Sequence, residues 1–239
     1  MNADFCYHPS KDLTDWLASQ HQQGAILSSA CSGVFILAET GILENKTITT
    51  HWMLKERFKQ SYNKISINIE KILINDQDII TAGGLMSWVD LGLELVAQLA
   101  SPHVMRQLGK ILVVDTGLRE QRYYQSFSPR LDHGNQVILK AQRYMQSNMG
   151  QKISINDLCQ RCFTTERTFI RHFVKATGLK PIDYLQRLRI QKASELIESS
   201  SHTFNQISQT VGYKDISSFR KVFLKITGLS PGEFRKRFA

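Results

Sequence analysis

Two sets of residues have types and spacings that could do chemistry. The first is Cys31 with His51. Cys31 follows a short apolar run at 24–30 and precedes Ser32-Gly33 and a helix expected over 34–40. A thiol on a tight strand-to-helix turn sits where backbone N–H groups and the helix dipole favour its thiolate. His51, expected at the end of an extended stretch over 47–51, is of a type that could take the proton. Together they would make a cysteine hydrolase or amidase; the alternative is an inherited turn with no chemistry. The second set is cationic. Glu166, Arg167, Ile170, Arg171 and Val174 recur 50 positions later as Ile216, Ser217, Arg220, Lys221 and Leu224, with a cation pair or an Arg/Lys pair in each. Arg and Lys donate to guanine O6 and N7, Ser bonds several base edges, and Ile170 could meet a thymine methyl. The candidate DNA contacts are Glu166, Arg167, Ile170, Arg171, Ser217, Ser218, Arg220 and Lys221. An ordinary helical domain can also carry a solvated basic face, but two matching faces make that reading weaker.

The elements that must position the cations are written twice. Phe169, Phe173, Lys175, Gly178 and Pro181 pair with Phe219, Phe223, Lys225, Gly228 and Pro231 at an offset of 50. Upstream, Leu158, Cys159 and Cys162 pair with Ile207, Ser208 and Val211 at an offset of 49. The one-residue change falls in a turn between two helical patterns, where a repeated helix-turn-helix tolerates it. In the second copy Thr203-Phe204-Asn205-Gln206 has the form of a capping box. Gly212 suits a left-handed turn, and Asp215 suits an N-cap. Phe219, Val222, Phe223 and Ile226 then repeat at helical spacing. Gly228 ends that helix, and Pro231 opens the next with Ser230 as cap and Glu233 three residues on. The first copy follows with Ser154, Leu158, Thr164 or Thr165, Phe169, Phe173 and Gly178. In a helix-turn-helix the outward face of the second helix enters the major groove.

Residues 137–239 resemble the DNA-binding domain of the AraC/XylS family of transcription regulators. The resemblance rests on the double unit, the Gly-x-x-Pro after each second helix, and Phe234-Arg235-Lys236-Arg237-Phe238 at the end. It implies seven helices, with a linker helix near 183–198 packed through Tyr184, Leu185, Leu188, Ala193, Leu196 and Ile197. That linker would hold the two reading helices on one side of the duplex, about 34 Å apart. Lys221 stands where the family often has Arg, which weakens a bidentate guanine contact there.

Charge supports this division. From Val137 onward there are 18 Lys and Arg against 7 Asp and Glu, a net +11, whereas residues 1–136 carry −2. Basic character confined to one segment is the footprint of a nucleic-acid module joined to a neutral one. No run of apolar residues approaches a membrane span, and Met1-Asn2-Ala3-Asp4 lacks the features of a secretory leader, so a cytoplasmic location is expected. Four cysteines without a second spaced pair argue for reduced core thiols at Cys159-x-x-Cys162, with no disulfide framework, metal or cofactor expected. His133 and His172 read as ordinary surface or packing residues.

The first part of the chain reads as α/β. A helix is expected over 13–22 with Leu13, Trp16 and Leu17 on one side. Ile65 to Ile69 alternates like a strand, and 72–81 reads as a hairpin. Helices follow at 83–100 and 102–114, and 119–136 is polar and linker-like. Residues 1–126 resemble part of the class I glutamine amidotransferase-like (PfpI-type) superfamily, through Ala30-Cys31-Ser32-Gly33 and Thr49-Thr50-His51-Trp52. The resemblance implies a flavodoxin-like α/β domain. Hydrolases and amidotransferases use it, and in regulators fused to AraC-type domains it senses or dimerises. The superfamily's early strand and helices, and the acidic neighbour of its cysteine, have no counterpart here. The domain therefore reads as shortened, which leaves open a shortened gene product, completion by a partner chain, or poor stability. The expected organisation is two-domain: a partial α/β domain over 1–126, a linker over 127–136, and an all-α double helix-turn-helix over 137–239. Double-stranded DNA is the expected partner, with a small-molecule effector and a homodimer implied by the resemblance, and no membrane.

Overall fold

The structure, a computed structural model, describes residues 8–117 and 119–239; the leader reading of Met1-Asn2-Ala3-Asp4, and Cys6, lie outside them. The chain divides into two units, Met1–Arg122 and Tyr123–Ala239.

In the first unit, Ser10 caps helix α1 (Lys11–Gln22) by accepting the Leu13 N–H. Leu17 packs on the core, but Trp16, expected beside it, stands 58% exposed. Strand β1 (Leu27–Ala30) runs through a short turn into α2 (Val34–Glu39). The extended stretch expected over 47–51 contributes only β2 (Thr47–Ile48), and the alternating run contributes β3 (Ser66–Ile67); these two pair in parallel. Helix α3 (Lys55–Ser61) lies between them in sequence. The expected hairpin forms as β4 (Leu73–Asp76) and β5 (Ile79–Ala82), turning at a left-handed Gln77. The larger sheet has the order β1-β5-β4, with β1 parallel to β5 and β4 antiparallel to it. All four residues of β5 are buried, as befits a central strand covered on both faces. Helix α4 (Trp88–Leu99) lies against β1 and β5 and against α5 (Pro102–Leu112). It begins several residues after Gly83-Gly84. Adding a Cβ at Gly83 would bring it within 2.7 Å of the Thr50 carbonyl, so this glycine permits close packing and does not open the helix.

Side chains in the polar 119–136 stretch pack on the unit each belongs to. Gln121 is buried in the first unit, accepts the Trp52 N–H at 2.8 Å and donates to the Thr50 and Ile69 carbonyls at 3.0 Å each. Phe127 belongs to the second unit: its ring meets Tyr184 edge-on at 5.3 Å, and its N–H donates to Gln191.

The second unit holds seven helices: α6 (Gln136–Asn148), α7 (Ile155–Arg161), α8 (Glu166–Thr177), α9 (Pro181–Ser199), α10 (Phe204–Thr210), α11 (Ile216–Thr227) and α12 (Pro231–Phe238). It has two cores. Phe169 and Phe173 fill one with Ile138, Met145 and Leu158, while Phe219 and Phe223 fill the other with Ile207, Val211 and Phe234. Truncating a buried Phe of this kind to Ala costs about 3–5 kcal/mol. Helix α9 serves both, giving Tyr184, Leu185 and Leu188 to the first and Ile190, Ala193 and Ile197 to the second. A single 19-residue helix therefore couples the halves.

Candidate nucleic-acid interface

The two outward faces are set by local capping and by what each helix buries. Asp215 starts α11 by accepting the Ser217 and Ser218 N–H groups, which holds its carboxyl below the usual carboxylate range. Thr165 starts α8 without a side-chain cap bond. Capping boxes at Ser154, Thr203 and Ser230 start α7, α10 and α12. Each reading helix ends at a left-handed glycine, Gly178 or Gly228.

With Phe169 and Phe173 turned inward, α8 exposes Glu166, Arg167 and Arg171, while Ile170 is half-buried. On α11 the exposed set is Ser217, Ser218, Arg220 and Lys221. Arg167, Arg171, Arg220 and Lys221 make no ion pair among the described residues, so their donors are open to solvent. Ser218 differs from the others, because its hydroxyl also supports the Asp215 carboxylate. It is a capping residue first.

Three contacts that periodicity does not reveal hold the second unit together. Gln142 is fully buried and donates to the Arg130 carbonyl at 2.9 Å and to the Tyr184 hydroxyl at 3.1 Å. Its Oε1 meets His133 Nε2 at 2.8 Å, so His133 is a packing residue. Arg189 on α9 donates to the Met149 and Gln151 carbonyls at 2.8 and 2.7 Å and lies over the Tyr213 ring. Gly212 allows the α10–α11 turn to approach that clamp, since a Cβ there would stand 2.7 Å from the Met149 carbonyl. The pairing of Gly212 with Phe163 at the 49-residue offset was the available signal for one further feature. Phe163 adopts the same left-handed conformation in the first turn.

The cysteine site is arranged differently from a catalytic pair. Cys31 follows β1 with φ 54°, a strained turn conformation for a residue with a side chain. The Thr50 hydroxyl donates to its carbonyl at 2.7 Å. Burial pushes the thiol above its ordinary pKa, outweighing the hydrogen bond from the Ser32 backbone. His51 Nδ1 accepts the Met53 N–H at 3.2 Å, and burial lowers the imidazole pKa. A neutral ring accepting at Nδ1 carries its proton on Nε2, where it donates and does not take a thiol proton. Among the described residues no hydrogen bond joins Cys31 to His51, and no group of His, Cys, Asp and Glu could hold a metal ion. Cys159 is buried and Cys162 half-buried, and both are free thiols raised in pKa by burial.

Two family models match separate parts of the chain. Residues 158–237 match the model of a helix-turn-helix domain family, and residues 5–98 match that of the DJ-1/PfpI family. The chain is 26% identical over 225 residues to the HTH-type transcriptional regulator CdhR of Pseudomonas aeruginosa, covering 93% of this chain and 66% of that protein. It is 23% identical over 218 residues to the regulator ArgR of the same organism, covering 90% and 66%. The chain thus spans just under two-thirds of the length of these relatives. Among solved structures, it is similar to the C-terminal domain of AraT, a response regulator from Geobacillus stearothermophilus, at 25% identity and a TM-score of 0.43. That match covers 45% of this chain and 88% of the other. No helix among the described residues is long and apolar enough to cross a membrane. The chain joins a DJ-1/PfpI-type α/β domain to an AraC-type helix-turn-helix domain.

Proposed function

We propose that the protein is a sequence-specific, DNA-binding transcription regulator acting in the cytoplasm. The observation that carries the reading is the pair of matched exposed faces, Arg167 with Arg171 and Arg220 with Lys221, on two helices joined through α9. Phosphate contacts from Lys, Arg and helix N-termini supply affinity and register, and these four side chains with Ile170 and Ser217 read or flank bases. Glu166 and Ser218 lie at the starts of the reading helices, where the Glu166 carboxylate can accept from a cytosine amino group and Ser218 supports the cap. In this reading residues 137–239 form the DNA-binding domain, and the α/β unit senses an effector or dimerises. It is not a catalyst: the raised Cys31 thiol and the donor orientation of His51 count against the hydrolase alternative.

The test is selection of bound sites from a random duplex pool, followed by titration of the enriched duplex against salt. A bipartite site with half-sites one helical turn apart and a steep salt slope is the expected result. A pool that stays unenriched would sink the sequence-specific reading.

A further inference from the structure

A second basic feature lies beside the start of α11, whose cap Asp215 directly follows Lys214. Where α9, the turn after α6 and the α10–α11 turn meet, the second unit has a cleft of about 590 Å³. Its walls include Lys152, Arg189 and Lys214, with Gln209 and Tyr213, and no carboxylate lines it. The nearby Asp215 is engaged in capping α11. Arg189 spends two of its donors on neutral carbonyls, and no ion pair neutralises it among the described residues. A half-buried guanidinium left without a counter-charge invites an anion. The Tyr213 hydroxyl is buried and has no hydrogen-bond partner among the described residues. Burial pushes that phenol above its usual pKa, so it stays a donor at neutral pH. Native structures rarely leave such a group unexplained.

We propose that this cleft is an oxyanion site that takes a phosphate-class anion through Lys152, Arg189, Tyr213 and Lys214. The donors are of the kinds that recognise phosphate, combining a guanidinium, two ammonium groups and a hydroxyl. The site touches both halves: Arg189 bonds the carbonyls of Met149 and Gln151, and Lys214 directly precedes the cap of α11. An anion bound there bridges the joint and favours one relative setting of α8 and α11. The same chemistry is offered by a backbone phosphate of bound duplex and by a free anion such as inorganic phosphate.

The test uses the full chain, its Lys152→Gln/Lys214→Gln double variant and Tyr213→Phe. Thermal unfolding is followed against inorganic phosphate at constant ionic strength, and non-specific duplex binding is followed against salt. For a free anion, phosphate raises the midpoint of the parent chain saturably. Its affinity then falls about tenfold or more in the double variant, because charge-assisted bonds are lost, and it falls in Tyr213→Phe, while the salt slope is unchanged. For a backbone phosphate, the slope of log affinity against log salt shrinks by about one per lysine removed, and free phosphate has no effect. Changes in both measurements mean that both sources use the site. If the parent chain shows no phosphate effect and the variants leave the slope unchanged, the proposal is overturned. Saturable phosphate stabilisation in a chain that binds no duplex would keep the oxyanion site and sink the DNA reading alone.

Discussion

Phe163 and Gly212 occupy the same left-handed position in the turns of the two helix-turn-helix units, with φ of 51° and 85°. Their surroundings differ. Phe163 is 93% exposed, with Lys140 Nζ 5.9 Å from its ring centroid. Gly212 is pressed against the Met149 carbonyl and the Arg189 guanidinium. The second turn therefore needs glycine for space as well as for conformation, while the first carries only the conformational strain.

Opposite effects of substitution follow. Gly212→Ala is expected to destabilise the chain by about 2 kcal/mol or more, since a left-handed alanine alone costs about 1–2 kcal/mol and its Cβ also meets backbone. Phe163→Gly is expected to be neutral or to stabilise by up to about 1 kcal/mol, because little packing is lost. Urea unfolding midpoints of the two variants, measured at constant m, check the pair.

Loss of the Arg171 or Arg220 side chain is expected to weaken binding to the selected duplex by about 1–3 kcal/mol and to relax preference at one position each. Neither side chain makes an ion pair among the described residues, so stability should stay within about 0.5 kcal/mol of the parent. Anisotropy titrations against a panel of single-base variants of the site measure both affinity and preference. Unchanged affinity and preference in Arg171→Ala would remove that residue from the reading face.

Thr177 and Thr227 make the same local bonds 50 residues apart. Each hydroxyl donates to the carbonyl four residues back, Phe173 at 2.8 Å or Phe223 at 2.9 Å, and accepts the N–H of Leu179 or Leu229 at 3.2 Å. Valine keeps the shape and strands that N–H. Thr227→Val should cost about 1–3 kcal/mol, with Thr177→Val at the lower end because its site is wetter. Chemical denaturation of each variant supplies the comparison.

The Cys31 thiol should alkylate slowly near neutral pH and speed up only above the ordinary thiol range, because burial raises its pKa. His51→Ala should leave this profile in place, since His51 is engaged with the Met53 N–H. Iodoacetamide labelling of Cys31, followed by peptide mass across pH, is the measurement. Fast labelling near pH 7 that depends on His51 would restore the hydrolase alternative.

Asp78 ties the β4–β5 turn to Lys46 and His21, and the Lys46 hydrogen bond is the largest cause of its lowered pKa. A carboxylate depressed in the folded state adds stability that is present above its unfolded pKa and is lost as pH falls through the folded value. The parent chain should therefore lose more stability than Asp78→Asn on acidification below the ordinary carboxylate range. Melting curves of the two proteins across acid pH test the sign.

The 50-residue repeat, the caps at Ser154, Thr203, Asp215 and Ser230, and the glycine stops at Gly178 and Gly228 were legible in the amino-acid sequence. Each depends on residues within a few positions of one another, and helical spacing assigns Phe169, Phe173, Phe219 and Phe223 to the inward side. The cationic faces follow by subtraction. Tertiary structure decided what distant groups meet. Gln142 is buried despite its polar amide because Arg130, His133 and Tyr184 satisfy it. Trp16 shares a helical side with Leu17 yet stays exposed, because α1 covers the core with only part of that side. Phe127 sits in a polar stretch but packs on Tyr184. Cys31 does adopt a strained turn after a strand, but burial and the Met53 N–H set the protonation of the cysteine and histidine. Pattern tells which way a side chain faces, whereas the carbonyl that Arg189 reaches 40 residues away is fixed only when the helices pack.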